Sequence, residues 1–424
     1  MISRKLHDLF LKCKGISTDS RSIKKNSLFF SLKGDNFDGN NYALEALKKG
    51  AKYAVVDNKN LSNTNFIKVE NALASLQKLS TYHRSKLTKT KIIAITGSNG
   101  KTTTKELMHQ VLSSQYKTSS TIGNLNNHIG VPLTLLKIDK DSDFAIVEMG
   151  ANHIGEIKFL TKLIKPDVGY ITNFGKAHLE GFGGLNGVIK GKTELYNWLL
   201  KYNKAILINS NDETQNNFIN HKSIIFGTKD NSNYTFKKEK IENFISVIYR
   251  ETKIKSNLIG DYNFNNIIAA ISLGLHFKLS LKSIKQAIQS YIPTNNRSQL
   301  LNINKKNIIL DAYNANPSSM KLAIDSFMKI SGSKILILAD MFELGQYTNN
   351  EHLEIIEQLE KNNIKAYFVG TKFYSLKKQS NFLLFFKNKK DLIKELSKNK
   401  IKEKNILIKG SRIMKMELIL NHIK

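Results

Sequence analysis

The stretch Lys91 to Glu106, KIIAITGSNGKTTTKE, constrains this chain more than any other. Ile92 to Ile95 form an apolar, partly β-branched run of the kind a buried strand uses. Gly97-Ser98-Asn99-Gly100 reads as a turn. Lys101, Thr102 and Thr103 then open a helical pattern that continues through Leu107, Val111 and Leu112. A strand, a glycine turn and a helix start, in that order, make a cradle for an anion. Backbone N–H groups and the helix N-terminus face it, and only glycine lets it come so close. In such a cradle Lys101 reaches the terminal phosphates of a nucleotide and the Thr102 hydroxyl sits on Mg²⁺. The match to the usual phosphate-loop pattern is incomplete, because Ile95 stands where that pattern has its first glycine. The plain alternative is an ordinary βα turn that contains Gly-Lys-Thr.

A length of 424 residues is enough for roughly two to four domains. The strand and helix patterns divide the chain into three α/β units, 1–88, 89–296 and 297–424. In the first, Leu28 to Leu32 reads as a strand. The polar, glycine-bearing loop from Lys33 to Asn41 suits a hydrogen-bonding ligand surface, and 71–87 reads as an amphipathic helix. In the second, the apolar run Phe144 to Glu148 ends on a carboxylate. Strand ends in a doubly wound sheet face the ligand crevice, so Glu148 is a candidate ligand of Mg²⁺ or water; the alternative is an exposed strand end. Val168 to Thr172 repeats the design, leading into a loop with Asn173, His178 and Glu180. His178 there binds metal or phosphate, or is structural. Lys190 and Lys192 lie on an amphipathic helix, where lysines are ordinarily exposed. Asn263 and Asn266 precede an alanine-rich helix and either meet an adenine edge or cap that helix. Arg297 follows the boundary at Pro293 and can reach phosphates across a cleft. In the third unit apolar strands end on Asp311, Asp340 and Gly410 before helices, as in an open parallel sheet.

The net charge of +30 raises the question of nucleic acid. Only six residues are arginine, and the lysines are scattered rather than striped, so a solvated lysine surface is expected and no nucleic-acid partner. An acidic, phosphorylated substrate is still drawn to such a protein. No apolar run approaches the roughly 18 residues of a membrane span, and the N-terminus lacks the apolar centre of a signal peptide. The single cysteine, Cys13, permits no internal disulfide and suits a reducing cytoplasm as a small buried residue.

Seven stretches together resemble the Mur ligases of peptidoglycan synthesis along nearly the whole chain. They are TGSNGKTTTKE (96–106), GNLNNHIGVP (123–132), EMGANHIGEI (148–157), NFGKAHLEGFG (173–183), YNANPSSM (313–320), DMFELG (340–345) and KGSRIMKME (409–417). The phosphate loop alone would suit any Mur ligase or a folylpolyglutamate synthase. YNANP, DMFELG and GNLNNHIGVP in one chain favour the members that add D-alanyl-D-alanine over those that add the third residue of the peptide. The resemblance implies a small α/β N-terminal substrate domain, a central P-loop-type parallel-sheet ATPase domain and a C-terminal Rossmann-like α/β domain. It implies ATP and Mg²⁺ as cofactors, UDP-MurNAc-tripeptide and D-alanyl-D-alanine as partners, an acyl-phosphate intermediate and a cytoplasmic monomer.

It also implies roles. Gly97, Ser98, Asn99, Gly100, Lys101, Thr102 and Thr103 hold the ATP phosphates. Glu148 and His178 match metal ligands, and Lys192 falls where several Mur ligases carry a carbamylated lysine. Asn173 lies beside the nucleotide, Asn263 and Asn266 near adenine, and Arg297 and Asp311 on phosphates and ribose. Ser20, Arg21, Lys33, Phe37, Asp38 and Gly39 match the uridine-diphosphate side. Asn314, Asn316, Ser411 and Arg412 match motifs that close over the site. The chain departs from the family pattern at three places: Tyr262 stands for a usual histidine, Ala339 for a glycine, and Asn40 for a frequent histidine.

Overall fold

A computed structural model describes residues 2–241 and 243–423, and in it Lys91–Thr96 is an inner strand of a nine-stranded sheet. Its parallel neighbours are Phe144–Glu148 on one side and Val168–Ile171 on the other. Thr118–Ser120 lies outside the first. Ala205–Asn209, Ser223–Gly227 and Tyr234–Ile241 lie in turn outside the second. The chain runs from Lys91–Thr96 out to Thr118–Ser120, back to Phe144–Glu148, then across to Val168–Ile171. Connections therefore part in opposite directions around the central strand and leave a crevice at the carboxyl ends.

Ile92 to Ile95 are fully buried because helices cover both faces. Ile93 and Ile95 pack with Leu107, Val111, Ile267 and Ile271. Ile92 and Ala94 join Ile157, Leu160, Leu195 and Leu199 on the other face. This is why the strand reads as a continuous apolar run rather than an alternating one.

Beyond Tyr234–Ile241 the sheet turns antiparallel, adding Phe244–Tyr249 and Thr252–Ile259. The sequence patterns marked none of these three strands. In Thr252–Ile259 Ile254, Ser256 and Leu258 are buried while Lys255 and Asn257 face solvent, an alternation that polar residues obscure.

The first unit is a four-stranded parallel sheet, ordered Ile16–Ser17, Leu28–Phe30, Tyr53–Val56, Phe66–Lys68, with a two-stranded hairpin of Lys33–Gly34 and Phe37–Asp38. Cys13 is half-buried at its edge rather than fully buried. Helix Ala72–Lys86 ties this unit to the central sheet. The Arg84 guanidinium donates to the carbonyls of Ile164 and Lys165 and pairs with Asp167 at 3.2 Å.

The third sheet has five parallel strands, Lys306–Asp311, Asn405–Lys409, Lys334–Ala339, Ala366–Val369 and Leu383–Phe386, and one antiparallel edge strand, Gln299–Ile303. An apolar cluster runs from the central unit (Ile92, Ile171, Leu195) into the third (Met320, Leu336, Phe368). Ala339 is fully buried at the end of its strand. Its methyl fills the space beside Gly410, where a second Cβ would come within 2.6 Å of it.

Candidate active site

The carboxyl ends of the three central strands open into a cleft of about 710 Å³. Its floor is the phosphate loop. Gly97 and Gly100 have φ of 133° and 80°, which side chains disfavour. A Cβ on Gly97 would strike the Thr172 hydroxyl at 2.1 Å, and one on Gly100 the Asn266 amide at 2.6 Å. Helix Lys101–Leu112 starts directly after the loop, so its free N–H groups face the cleft. The loop is braced from the next strand: Asn173 Oδ1 accepts from Asn99 N (3.1 Å), and Asn173 Nδ2 donates to Asn99 O (2.9 Å).

Lys101 curls back, its ammonium donating to the carbonyls of Gly97 (2.6 Å) and Ser98 (3.1 Å). Burial lowers its pKa, Glu148 opposes that, and Arg297 adds to it. Such a cation is poised to exchange two carbonyls for phosphate oxygens.

Glu148 is 2 % exposed. One carboxylate oxygen accepts from the Thr102 hydroxyl (2.9 Å) and the other from Asn126 Nδ2 (2.9 Å). A buried carboxylate beside a hydroxyl is an oxygen-only pair suited to Mg²⁺, which takes one or two carboxylates and completes its shell with phosphates and water. His178 lines the same cleft. Its Nδ1 lies 2.6 Å from the carboxylate of Glu343 on the third unit, which holds the Glu343 pKa below the ordinary range.

Lys192 is 1 % exposed, which corrects the surface reading of that helix, whereas Lys190 is exposed. The Lys192 amine donates to Ala151 O at 3.2 Å and lies over the Phe182 ring. Burial and then the Lys101 charge push its pKa well below the lysine range, against Glu156 and Glu194. Glu194 is engaged elsewhere, accepting from the N–H groups of Gly155 and Lys158 at the start of helix Glu156–Ile164. Lys192 does not line the cleft itself.

Asn263 and Asn266 line the cleft, but their amides are engaged within the chain. Asn263 donates to Ile259 O, Asn266 donates to Asn263, and Asn266 accepts from the Thr104 hydroxyl. Asn266, braced by Asn263, ties helix Lys101–Leu112 to the helix Asn263–His276 and packs under Gly100.

The third unit closes the opposite wall with Asp311, Asn314 and Asn316, while Ser411 is buried behind it and Arg412 is exposed. Asn316 caps helix Pro317–Met328 through Ser319 N (2.9 Å) and reaches across to Asn99 Oδ1 (2.7 Å). Beside it Ser318 Oγ accepts from Lys176 N (2.8 Å), and the Lys176 ammonium pairs with Glu351 at 2.7 Å.

The uridine-side residues lie outside the cleft. Arg21 is exposed on Asp19, and Ser20 O accepts from Lys49. Lys33 pairs with Asp57 at 3.2 Å, Phe37 is 57 % exposed, and Gly39 is packed on Leu32. Asn40 is no open donor. Its amide nitrogen donates to Asp38 and Asp57 (2.7 Å each), and its oxygen accepts from the N–H groups of Asp57 and Asn58.

Residues absent from the sequence reading also line the cleft. Lys409, 2 % exposed, pairs with Asp311. The rule that selected Glu148, an apolar strand ending on a charge, would have selected it in NILIK. Asn126 had no such signal among the asparagines of GNLNNH.

A glycine loop that opens a helix N-terminus, a carboxylate–hydroxyl pair beside it and a facing domain that reaches the loop define a nucleotide-dependent enzyme that works between domains. The sequence belongs to the Mur ligase family. Models of the Mur ligase family catalytic domain, the Mur ligase middle domain and the Mur ligase glutamate ligase domain match residues 12–88, 95–274 and 296–412. The chain is 32 % identical to the UDP-N-acetylmuramoyl-tripeptide–D-alanyl-D-alanine ligase of Bacillus subtilis, across 96 % of this chain and 93 % of the relative. With the ligase of the same name in Escherichia coli the identity is 31 %, across 96 % and 93 %. The fold matches crystal structure I of MurF from Acinetobacter baumannii (TM-score 0.88, 28 % identity, 99 % and 97 % covered). It also matches the MurF ligase of Thermotoga maritima in complex with ADP (TM-score 0.85, 25 % identity, 97 % of each chain). Among the described residues no helix is long and apolar enough to cross a membrane.

Proposed function

We propose that this chain joins D-alanyl-D-alanine to UDP-N-acetylmuramoyl-tripeptide, converting ATP to ADP and phosphate. The observation that carries this reading is the reach of Asn316, in the YNANP turn, onto the phosphate loop at Asn99. It brings the wall of the third unit against the site of phosphoryl transfer, as a ligase of two anionic substrates and an amine requires. We assign 1–88 to the UDP-sugar, 89–296 to ATP and 297–424 to the dipeptide and closure.

In the first step a carboxylate oxygen of the tripeptide attacks the γ-phosphorus, the bond to the β-phosphate oxygen breaks, and ADP leaves. In the second the amine of D-alanyl-D-alanine attacks the acyl carbon, the C–O bond to phosphate breaks, and the nitrogen loses a proton. The chain's contribution is position and charge. The Gly97–Thr103 backbone and the N-terminus of helix Lys101–Leu112 hold the phosphates, and Lys101 moves from its loop carbonyls onto them. Thr102 and Glu148 are the residues that would hold Mg²⁺, which screens the repulsion between carboxylate and nucleotide. Asn173 braces the loop, and Arg297 and Asp311 face the nucleotide from the third unit. His178 acts at the domain edge with Glu343. Ser20, Arg21, Lys33 and the Phe37–Gly39 turn present the uridine-diphosphate surface of the first unit.

Lys192 is the candidate carbamate. A neutral buried amine is the form that adds CO₂, and the product turns a cation into a carboxylate-like oxygen ligand. An intact-mass measurement of the native protein, with partial rescue of Lys192→Ala by a small added carboxylate, tests this. Failure of rescue together with an unmodified mass would refute it.

A substrate panel tests the overall reading. ATP and Mg²⁺ with UDP-MurNAc-tripeptide and D-alanyl-D-alanine should give ADP and pentapeptide. Turnover only with the dipeptide precursor and free amino acids would overturn it.

A further inference from the structure

The segment joining the second and third units runs through left-handed backbone at residues that are not glycine: Asn295 (φ 61°), Asn296 (φ 56°) and Ser298 (φ 46°). Asparagine tolerates this conformation, but serine is held there only by its surroundings. Ser298 is 6 % exposed and fixed on two sides. Its N–H donates to Asp311 Oδ1 (3.2 Å), and its hydroxyl lies 2.7 Å from the Tyr262 hydroxyl. The other Asp311 oxygen accepts from the buried Lys409 ammonium, which also lies 3.4 Å from the carbonyl of Asn314. Asn296 O accepts from Tyr313 N at 3.1 Å.

Arg297 stands between these fixed points. Its guanidinium lies 3.6 Å from the centre of the Tyr313 ring, and its buried Nε has no partner. An unpartnered guanidinium nitrogen on a wall of the cleft marks a group waiting for an acceptor.

We infer that Tyr262, Ser298 and Lys409 are positioning residues: the chain Tyr262–Ser298–Asp311–Lys409 holds the hinge in its left-handed form and so aims Arg297 at the nucleotide. The inference rests on the nucleotide reading of the cleft and adds residues to it. It also gives Tyr262 a task of its own. The tyrosine hydroxyl reaches across the hinge to a serine of the next unit, joining the wall at Asn263 to the strand end at Asp311.

The test uses the full chain and removes single atoms. Tyr262→Phe and Ser298→Ala each delete one hydroxyl of the 2.7 Å contact. Each should weaken ADP binding about three- to tenfold, the range of one hydrogen bond. Affinity for UDP-MurNAc-tripeptide should not change. The double variant should lose no more than the worse single one. In nucleotide-free protein, amide exchange at Ser298 and Tyr313 should quicken in both variants. Lys409→Met should quicken the same amides and weaken ADP likewise. ADP affinity and exchange equal to the unaltered protein, or losses that add in the double variant, would overturn the inference. If the unaltered protein binds no ADP, the nucleotide reading fails, and unchanged or faster exchange at these two amides still decides the hinge. If Tyr262→Phe does not fold, Ser298→Ala reads the same contact from the other side.

Discussion

Lys101 and Glu148 carry the clearest expectations at the residue scale. Lys101→Ala should lower kcat by about 10²–10³-fold, as loss of a charge-stabilising donor does, while its melting temperature stays near that of the unaltered protein. Wild-type turnover would refute its role. Glu148→Gln keeps both the Thr102 and the Asn126 contacts possible. It should raise the Mg²⁺ concentration for half-maximal rate by at least about tenfold, and an unchanged Mg²⁺ dependence would remove Glu148 from the metal site. Both residues were legible from local pattern, Glu148 as the end of an apolar strand and Lys101 as the first helical residue after a glycine turn. Side chains defined by a distant partner were not. Nothing near Lys176 announces Glu351, and nothing near Asn40 announces Asp57. The burial of Lys192 was hidden too, since its helix has lysines on both its wet and its dry face.

At the scale of elements, helix Pro317–Met328 links stability to function through one side chain. Asn316 caps its first turn and also reaches Asn99. Serine keeps a capping oxygen but has no amide long enough to cross. Asn316→Ser should therefore hold stability within about 0.5 kcal/mol while activity falls. Asn316→Ala should lose both, with about 1 kcal/mol from the cap. Urea unfolding and ADP release measured side by side separate the two, and equal activity in both variants and the parent would refute the crossing contact. Parallel strands of the central and third sheets were readable because burial on both faces leaves an unbroken apolar run. The strands Tyr234–Ile241 and Thr252–Ile259 escaped notice because lysines such as Lys237, Lys238, Lys253 and Lys255 interrupt their apolar pattern.

Across the whole molecule, the first unit is tied to the second partly through a buried histidine pair. His83 Nε2 donates to Ile138 O (3.0 Å), so its Nδ1 accepts from His7 Nε2 (3.1 Å). Burial lowers both pKa values from the ordinary 6.5, and at His7 the neighbouring His83 adds to this. The unfolded chain thus binds protons that the folded one excludes. Stability is full above about pH 6.5 and falls as pH drops toward the lowered values. His83→Gln keeps a donor for Ile138 and should flatten the fall in melting temperature between about pH 7 and about pH 5; a slope parallel to that of the unaltered protein would contradict the assignment. How the three units meet was beyond the sequence, because the polar pairs and the shared apolar cluster that join them link residues far apart along the chain. The phosphate loop itself was legible at once. The structure adds that its lysine is parked on its own carbonyls and that a facing turn already touches Asn99. Whether that assembly is a D-alanyl-D-alanine ligase is decided by one assay. Purified protein with ATP, Mg²⁺, UDP-MurNAc-tripeptide and D-alanyl-D-alanine should yield one ADP per UDP-MurNAc-pentapeptide, resolved by mass. A folded sample that forms no pentapeptide with either a lysine-type or a diaminopimelate-type tripeptide would contradict it.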